Sequence, residues 1–205
     1  MSELVINERV KNFAWGKLFK RDIILDITFK KGVLFEDVFW AHKVMDRVNK
    51  YLITNSPMYY YYQRNDSIVS TYNLRSLDLI SGLKERHQFI ELYYNELRNP
   101  SLRVLLRACI DNYYRLSNVK ENYGKNKYRK EIYNYIKNNQ SYFKDAVKGH
   151  KEMKIELLLF LFHPVINILF LFVKKILRKL KVIPHPPMLK KINLKNGDSS
   201  GQIYR

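Results

Sequence analysis

Lys31-Gly32-Val33-Leu34-Phe35-Glu36-Asp37-Val38-Phe39-Trp40 sets a glycine turn and an adjacent pair of carboxylates directly before an apolar run. Gly32 can end a strand, because glycine takes backbone conformations that other residues avoid. Asp37 can open a helix, because a carboxylate there accepts from unpaired backbone N–H groups and faces the positive end of the helix dipole. The stretch therefore reads as a strand-to-helix junction at the centre of an α/β unit. A carboxylate held on such a junction can act as a general base if a substrate hydroxyl reaches it. It can equally be a helix cap and nothing more.

Upstream, Ile23-Ile24-Leu25 and Ile27-Thr28-Phe29 are β-prone, and Gly32 closes them off. Phe13 to Phe19 is short and mixed, with Trp15 and Leu18 as candidates for burial, while residues 1–12 sustain no apolar period. Downstream, Glu36 to Lys50 carries a helical stripe at Ala41, Val44, Met45 and Val48. Tyr51-Leu52-Ile53 reads as a short strand, Asn55-Ser56-Pro57 as a turn, and Met58 to Gln63 as a further strand. The sum is an α/β unit of about four strands and one helix.

After Ser70 the period changes. Leu74, Leu77, Ile80, Leu83, His87, Ile90 and Tyr94 recur at three and four, which predicts an amphipathic helix over 73–98 despite Gly82. Asn99-Pro100-Ser101 reads as a break, Leu102 to Leu116 as the next helix, and Tyr128 to Ile136 as a third, strongly basic one. Cys109, the sole cysteine, excludes an internal disulfide and reads as a small buried hydrophobe. His42, His87 and His150 share no ligand spacing, so no metal site is expected among them.

Leu157 to Val173 is apolar apart from His163 and Asn167, and Pro164 should kink it. As one helix it would cover about 26 Å, marginally short of a ~30 Å hydrocarbon core. Lys174 to Lys181 then places five cations in eight residues among apolar ones, a pattern that suits a membrane surface. An interfacial or re-entrant helix is favoured over a single span or a buried core helix, and a helix lying in the surface is preferred. A span that kept this cluster inside would put the preceding α/β unit outside.

The 205 residues are 46% hydrophobic, close to the globular average, and carry a net charge of +18. Such an excess calls for an anionic partner: nucleic acid, nucleotide or lipid phosphate, or a membrane surface. Nucleic acid ranks last, because the charge is spread along the chain and gathers beside an apolar helix, with no nucleic-acid motif. Met1 to Arg9 lacks the basic start and apolar core of a signal peptide, so the chain is expected to stay on the cytoplasmic side.

Three motifs occur in order: Trp15-Gly16-Lys17-Leu18-Phe19-Lys20-Arg21, then Gly32-x-x-x-Glu36-Asp37, then Tyr60-Tyr61-x-x-Arg64-x-x-Ser67-Ile68. In that order and spacing they resemble the acceptor-side half of inverting family 2 glycosyltransferases of the GT-A fold, of the kind that build bacterial polysaccharides. The resemblance spans about residues 10 to 70. It implies sugar transfer from a nucleotide diphosphosugar to a hydroxyl of a glycan or lipid-linked acceptor, with inversion at the anomeric carbon. Asp37 matches the family's base, and Glu36 would help place the acceptor or brace the junction. Trp15 would stack on the acceptor sugar, core packing being its other use. Lys17 and Arg64 would meet the diphosphate or an acidic acceptor, unless they are solvated surface charges.

In that family the acceptor half follows a nucleotide-binding region whose Asp-x-Asp pair holds a divalent metal, magnesium or manganese. No Asp-x-Asp and no Gly-rich phosphate loop occurs in this sequence. The expectation is thus a truncated or split glycosyltransferase at the cytoplasmic face of the cell membrane. It would hold no cofactor itself, and it would be inactive unless a separate N-terminal half binds the donor. A non-catalytic, membrane-docked binding or scaffold protein is the alternative. The expected layout is an acceptor-side GT-A-like part over 1–70, a helical region over 71–150, a membrane-associated helix over 151–182 and a disordered tail over 183–205.

Overall fold

The computed structural model of the chain describes residues 1–6, 10–54, 57–62, 72–119 and 124–184, together with the backbone of 202–204. Two four-residue helical turns, α1 (Ser2–Val5) and α2 (Arg21–Ile24), precede the first long helix, α3 (Glu36–Arg47). A short strand, β1 (Tyr51–Ile53), follows it. Then come α4 (Asp78–Tyr93), α5 (Arg98–Arg115), α6 (Lys125–Asn138), α7 (Gln140–Ala146), α8 (Lys151–Phe162) and α9 (Pro164–Lys179). β2 (Gln202–Tyr204) pairs antiparallel with β1, Tyr51 opposite Tyr204.

The chain is mostly helical, which overturns the α/β expectation. The β1–β2 pair is the only sheet among the described residues. Of the β-prone runs, Ile23 and Ile24 lie in the turn α2, and residues 27–29 and 57–62 have no regular structure. A strand needs a neighbour to take its backbone hydrogen bonds, and the described residues offer these runs none. Their apolar side chains are used singly instead. Phe29 stacks on Trp40 at 4.8 Å between ring centroids and Phe19 meets the same indole edge-on at 5.3 Å. The indole N–H of Trp40 donates to Ile27 O at 2.9 Å, so a hydrogen bond and ring packing fasten this segment to α3. Leu18, a candidate for burial, is fully exposed.

The helical periods hold better than the strands. α3 buries Val38, Ala41, Val44 and Met45, α4 buries Ile80, Leu83, His87 and Ile90, and α5 buries Leu102, Leu105, Leu106 and Cys109. Gly82 is where α4 meets α3: a Cβ there would lie 3.0 Å from the Phe39 ring and 3.1 Å from Val38 Cγ1. The glycine costs helix propensity and allows the two helices to approach closely. The break expected at Asn99-Pro100-Ser101 falls earlier, at Tyr94, and those three residues sit inside the first turn of α5. Proline fits there because the first residues of a helix have no intrahelical acceptor for their N–H groups. Cys109 is fully buried and its thiol is pushed up to about 12 by desolvation, against a weaker pull from Lys84. Its alkylation by iodoacetamide at mildly alkaline pH is expected to be at least about a hundredfold slower in the folded chain than in urea. Equal rates in the two states would contradict this burial.

Residues 157–173 do not form one kinked helix. His163 is extended (φ −161°, ψ 119°), as a residue before proline tends to be, and α9 begins at Pro164, whose missing N–H and fixed φ suit a first helical position. His163 Nδ1 accepts from Val165 N at 3.3 Å and caps the new helix. Glu152 near the start of α8 reaches Lys174 at 2.5 Å and Arg178 at 3.2 Å near the end of α9, so the helices form an antiparallel hairpin. At 12 and 16 residues, no helix in the hairpin is long and apolar enough to cross a membrane, nor is any other among the described residues. The hairpin docks on the bundle through Leu157, Phe160 and Asn167, all fully buried. Asn167 Nδ2 donates to the Tyr114 hydroxyl at 2.9 Å, and that hydroxyl donates to Pro164 O at 2.8 Å, which accounts for an amide in an otherwise apolar helix. Of the segment expected as a disordered tail, 185–201 and 205 lie outside the described residues.

Candidate functional site

Asp37 sits in the first turn of α3, but the segment leading into it is a loop and not a strand. Gly32 at φ 79° and Phe35 at φ 58° turn the chain, and Val38 N closes the turn by donating to Phe35 O at 2.9 Å. Leu34 N donates to Asp78 Oδ2 at 2.9 Å, which ties the loop to the start of α4. Asp78 gave no signal in the sequence; its partner is a main-chain amide 44 residues away. Arg75 and the Lys30–Glu85–Lys43 bridges lie on the same side, with both lysines 3.0 Å from the Glu85 carboxylate.

The Asp37 carboxyl is pushed up from the usual range. Desolvation is the main cause and the neighbouring Glu36 charge adds to it, while the Val38 N–H and the Lys17 ammonium pull the other way. Lys17 is pushed down to about 8, again by desolvation, with the Asp37 charge opposing. Its Nζ donates to Phe13 O at 2.6 Å and to Lys11 O, and stands 5.2 Å from the Phe13 ring centroid. Two residues from different motifs are thus brought within reach of each other's charge, both half-buried. Glu36, beside them, is exposed.

Trp15 belongs to an aromatic stack. Phe13 lies parallel to it at 3.8 Å between centroids, Tyr61 at 4.6 Å and Tyr59 at 5.5 Å. The first and third motifs therefore touch, with Gly16 at φ 67° facing the Tyr59 ring. The indole is engaged by its neighbours, and Tyr60 (90% exposed) and Tyr62 (72%), which alternate with Tyr59 and Tyr61 along the chain, are more open than the stacked rings. Arg64 lies outside the described residues. Arg86, which no motif singled out, is buried in α4 and donates to Asn12 Oδ1 at 2.9 Å, anchoring the segment that carries Phe13, Trp15 and Lys17.

Among the described residues no three His, Cys, Asp or Glu side chains converge as metal ligands do. The divalent ion that the resemblance implies has no ligand set there. The chain matches no protein-family model, no curated protein and no solved structure.

Proposed function

We propose that residues 10–70 act as the acceptor-side part of an inverting glycosyltransferase, with Asp37 as the base. The observation that supports this reading most is the half-buried Asp37 carboxyl in the first turn of α3, with the half-buried Lys17 set against an exposed aromatic cluster. In such a reaction an acceptor hydroxyl attacks the anomeric carbon while its proton passes to the Asp37 carboxylate. The new oxygen–carbon bond forms as the bond to the nucleoside diphosphate breaks on the opposite face. Desolvation that raises the carboxyl also makes its ionised form a stronger base, which suits this task. Lys17, a cation close by, offsets charge gathered at the site. The open faces of Tyr60 and Tyr62 offer flat apolar surface to the C–H side of a sugar ring.

Binding of donor and metal needs groups beyond these, supplied by a nucleotide-binding half. The test is transfer of a radiolabelled sugar from a panel of nucleotide diphosphosugars to glycan acceptors, with that half supplied as a separate polypeptide. Asp37→Asn is expected to lower the rate at least about a hundredfold and to leave glycan binding, read by tryptophan fluorescence, unchanged. Transfer that survives Asp37→Asn removes the aspartate from this role.

A further inference from the structure

The outward face of α9 is apolar along its length. Val165, Leu169, Phe172, Val173, Ile176 and Leu180 are all more than 40% exposed, and Ile155 and Leu158 of α8 continue the surface. A groove lined by Ile155, Phe170, Val173, Leu177 and Ile183, with the Glu152–Lys174 ion pair on its wall, joins the two helices and carries apolar surface from one to the other. A soluble monomer rarely leaves so large an apolar patch in water without a use for it.

The charges around this patch say what covers it. Lys174 and Arg178 point inward and are held by Glu152. Lys175, Lys179 and Lys181 are exposed, and among the described residues none of the three has an ion-pair partner. On a helical wheel at 100° per residue, Lys175 and Lys179 fall at one margin of the apolar arc. At the other end of the hairpin, Arg129 and Lys130 line a cleft of about 340 Å³ beside Pro164. The patch thus has cations along one margin and at its C-terminal end, and the Pro164 end of the hairpin borders a basic cleft.

A second copy of the chain would bring like charges together at this face. A bilayer carrying anionic headgroups would not, because it presents hydrocarbon below a layer of negative charge. We infer that the α8–α9 hairpin lies lengthwise on an anionic phospholipid surface, with the outer face of α9 in the acyl boundary and Lys175, Lys179 and Lys181 at the headgroups. This surface is independent of glycosyl transfer and stands whether or not Asp37 is a base.

The experiment is flotation of the full chain with vesicles of phosphatidylcholine alone, or of one part phosphatidylglycerol to two of phosphatidylcholine. Binding is expected to the anionic vesicles, weakening with added salt. Lys175→Glu with Lys179→Glu should reduce it at least about tenfold. Leu169→Asp with Phe172→Asp should do the same by removing the inserted face. Both pairs project into solvent, so their circular dichroism is expected to match the wild type. Phe172→Trp supplies a readout that needs no loss of fold: its emission should shift to the blue with anionic vesicles only. Vesicle binding untouched by either pair overturns the inference. So does a stable dimer that Leu169→Asp with Phe172→Asp dissociates and that ignores lipid, since the face would then belong to a second copy.

Discussion

Replacing Phe160 by alanine is expected to cost about 3–5 kcal/mol of unfolding free energy, whereas the same change at Phe162, two residues on, should cost within about 0.5 kcal/mol. Phe160 is fully buried and meets three tyrosines: Tyr113 edge-on at 5.0 Å between centroids, Tyr114 at 6.1 Å and Tyr133 at 5.9 Å. Removal of the ring leaves a cavity, and the loss depends on how far the walls can close on it. Here two of the three walls are tethered. The Tyr114 hydroxyl donates to Pro164 O at 2.8 Å and the Tyr133 hydroxyl to Leu161 O at 3.1 Å. Moving either ring inward would break a hydrogen bond, so the void persists and the cost falls high in the range. Phe162 is 78% exposed and has no such walls. Urea unfolding of the two variants decides the matter. Equal losses would mean that the hairpin does not dock through Phe160.

The contrast between these two phenylalanines marks what could be read from the chain and what could not. Periodicity located the stripes of α3, α4, α5 and α6, because a helix satisfies its backbone locally and its buried face repeats within a few residues. Among the described residues only Tyr51-Leu52-Ile53 of the expected strands forms, as β1, and the others failed for the converse reason. Ile23-Ile24-Leu25 and Tyr59 to Tyr62 are as β-prone as strands in a sheet, but a ladder depends on partners far away in sequence, and composition cannot supply them. The apolar run 157–173 misled only in being read as one continuous, kinked helix. Pro164 reads as a kink, yet one extended residue, His163, folds the run back on itself and leaves neither half long enough to span.

The candidate site was legible in part. The three motifs named Asp37, Lys17 and Trp15; the first two are half-buried and carry charges that oppose each other's shifts, although no sheet holds them. What the motifs could not show was the support: Asp78 on Leu34 N and Arg86 on Asn12 are single long-range contacts that leave no periodic trace. Nor could they show that Trp15 is flanked by Phe13 and Tyr61, which moves the open ring surface to Tyr60 and Tyr62.

Stability is expected to fall by about 2–3 kcal/mol between pH 6.5 and pH 4.5 through His42 alone. His42 is 1% exposed on α3, with Nδ1 3.3 Å from Val38 O and its ring 5.1 Å from that of Phe89. Burial drives its pKa down to about 4; the Lys43 and Arg86 charges push the same way, while Val38 O and Glu85 oppose. The folded chain therefore keeps a neutral imidazole over a range in which the unfolded chain, titrating near 6.5, takes up a proton. Above pH 6.5 both states are neutral and the group contributes no slope. Below it the unfolded state binds more protons, so stability drops by about 1.4 kcal/mol per unit until the folded imidazole titrates near pH 4. His87, lowered by desolvation with Glu91 opposing and Arg98 adding to the shift, acts in the same direction. Carboxylates held low by cations, such as Glu91 beside Arg98 and Glu152 beside Lys174, lose their contribution only as pH falls below their unfolded values near 4.5. Asp37, Asp111 and Glu156, raised by burial, bind protons earlier in the folded chain and oppose the histidines, so the His42 share is read from the difference between wild type and variant. Urea titrations at half-unit steps of pH should show the wild-type slope flattened in His42→Gln and flattened further when His87→Gln is added. Parallel curves for wild type and His42→Gln would mean that the imidazole is already charged inside the fold, with Glu85 outweighing its burial.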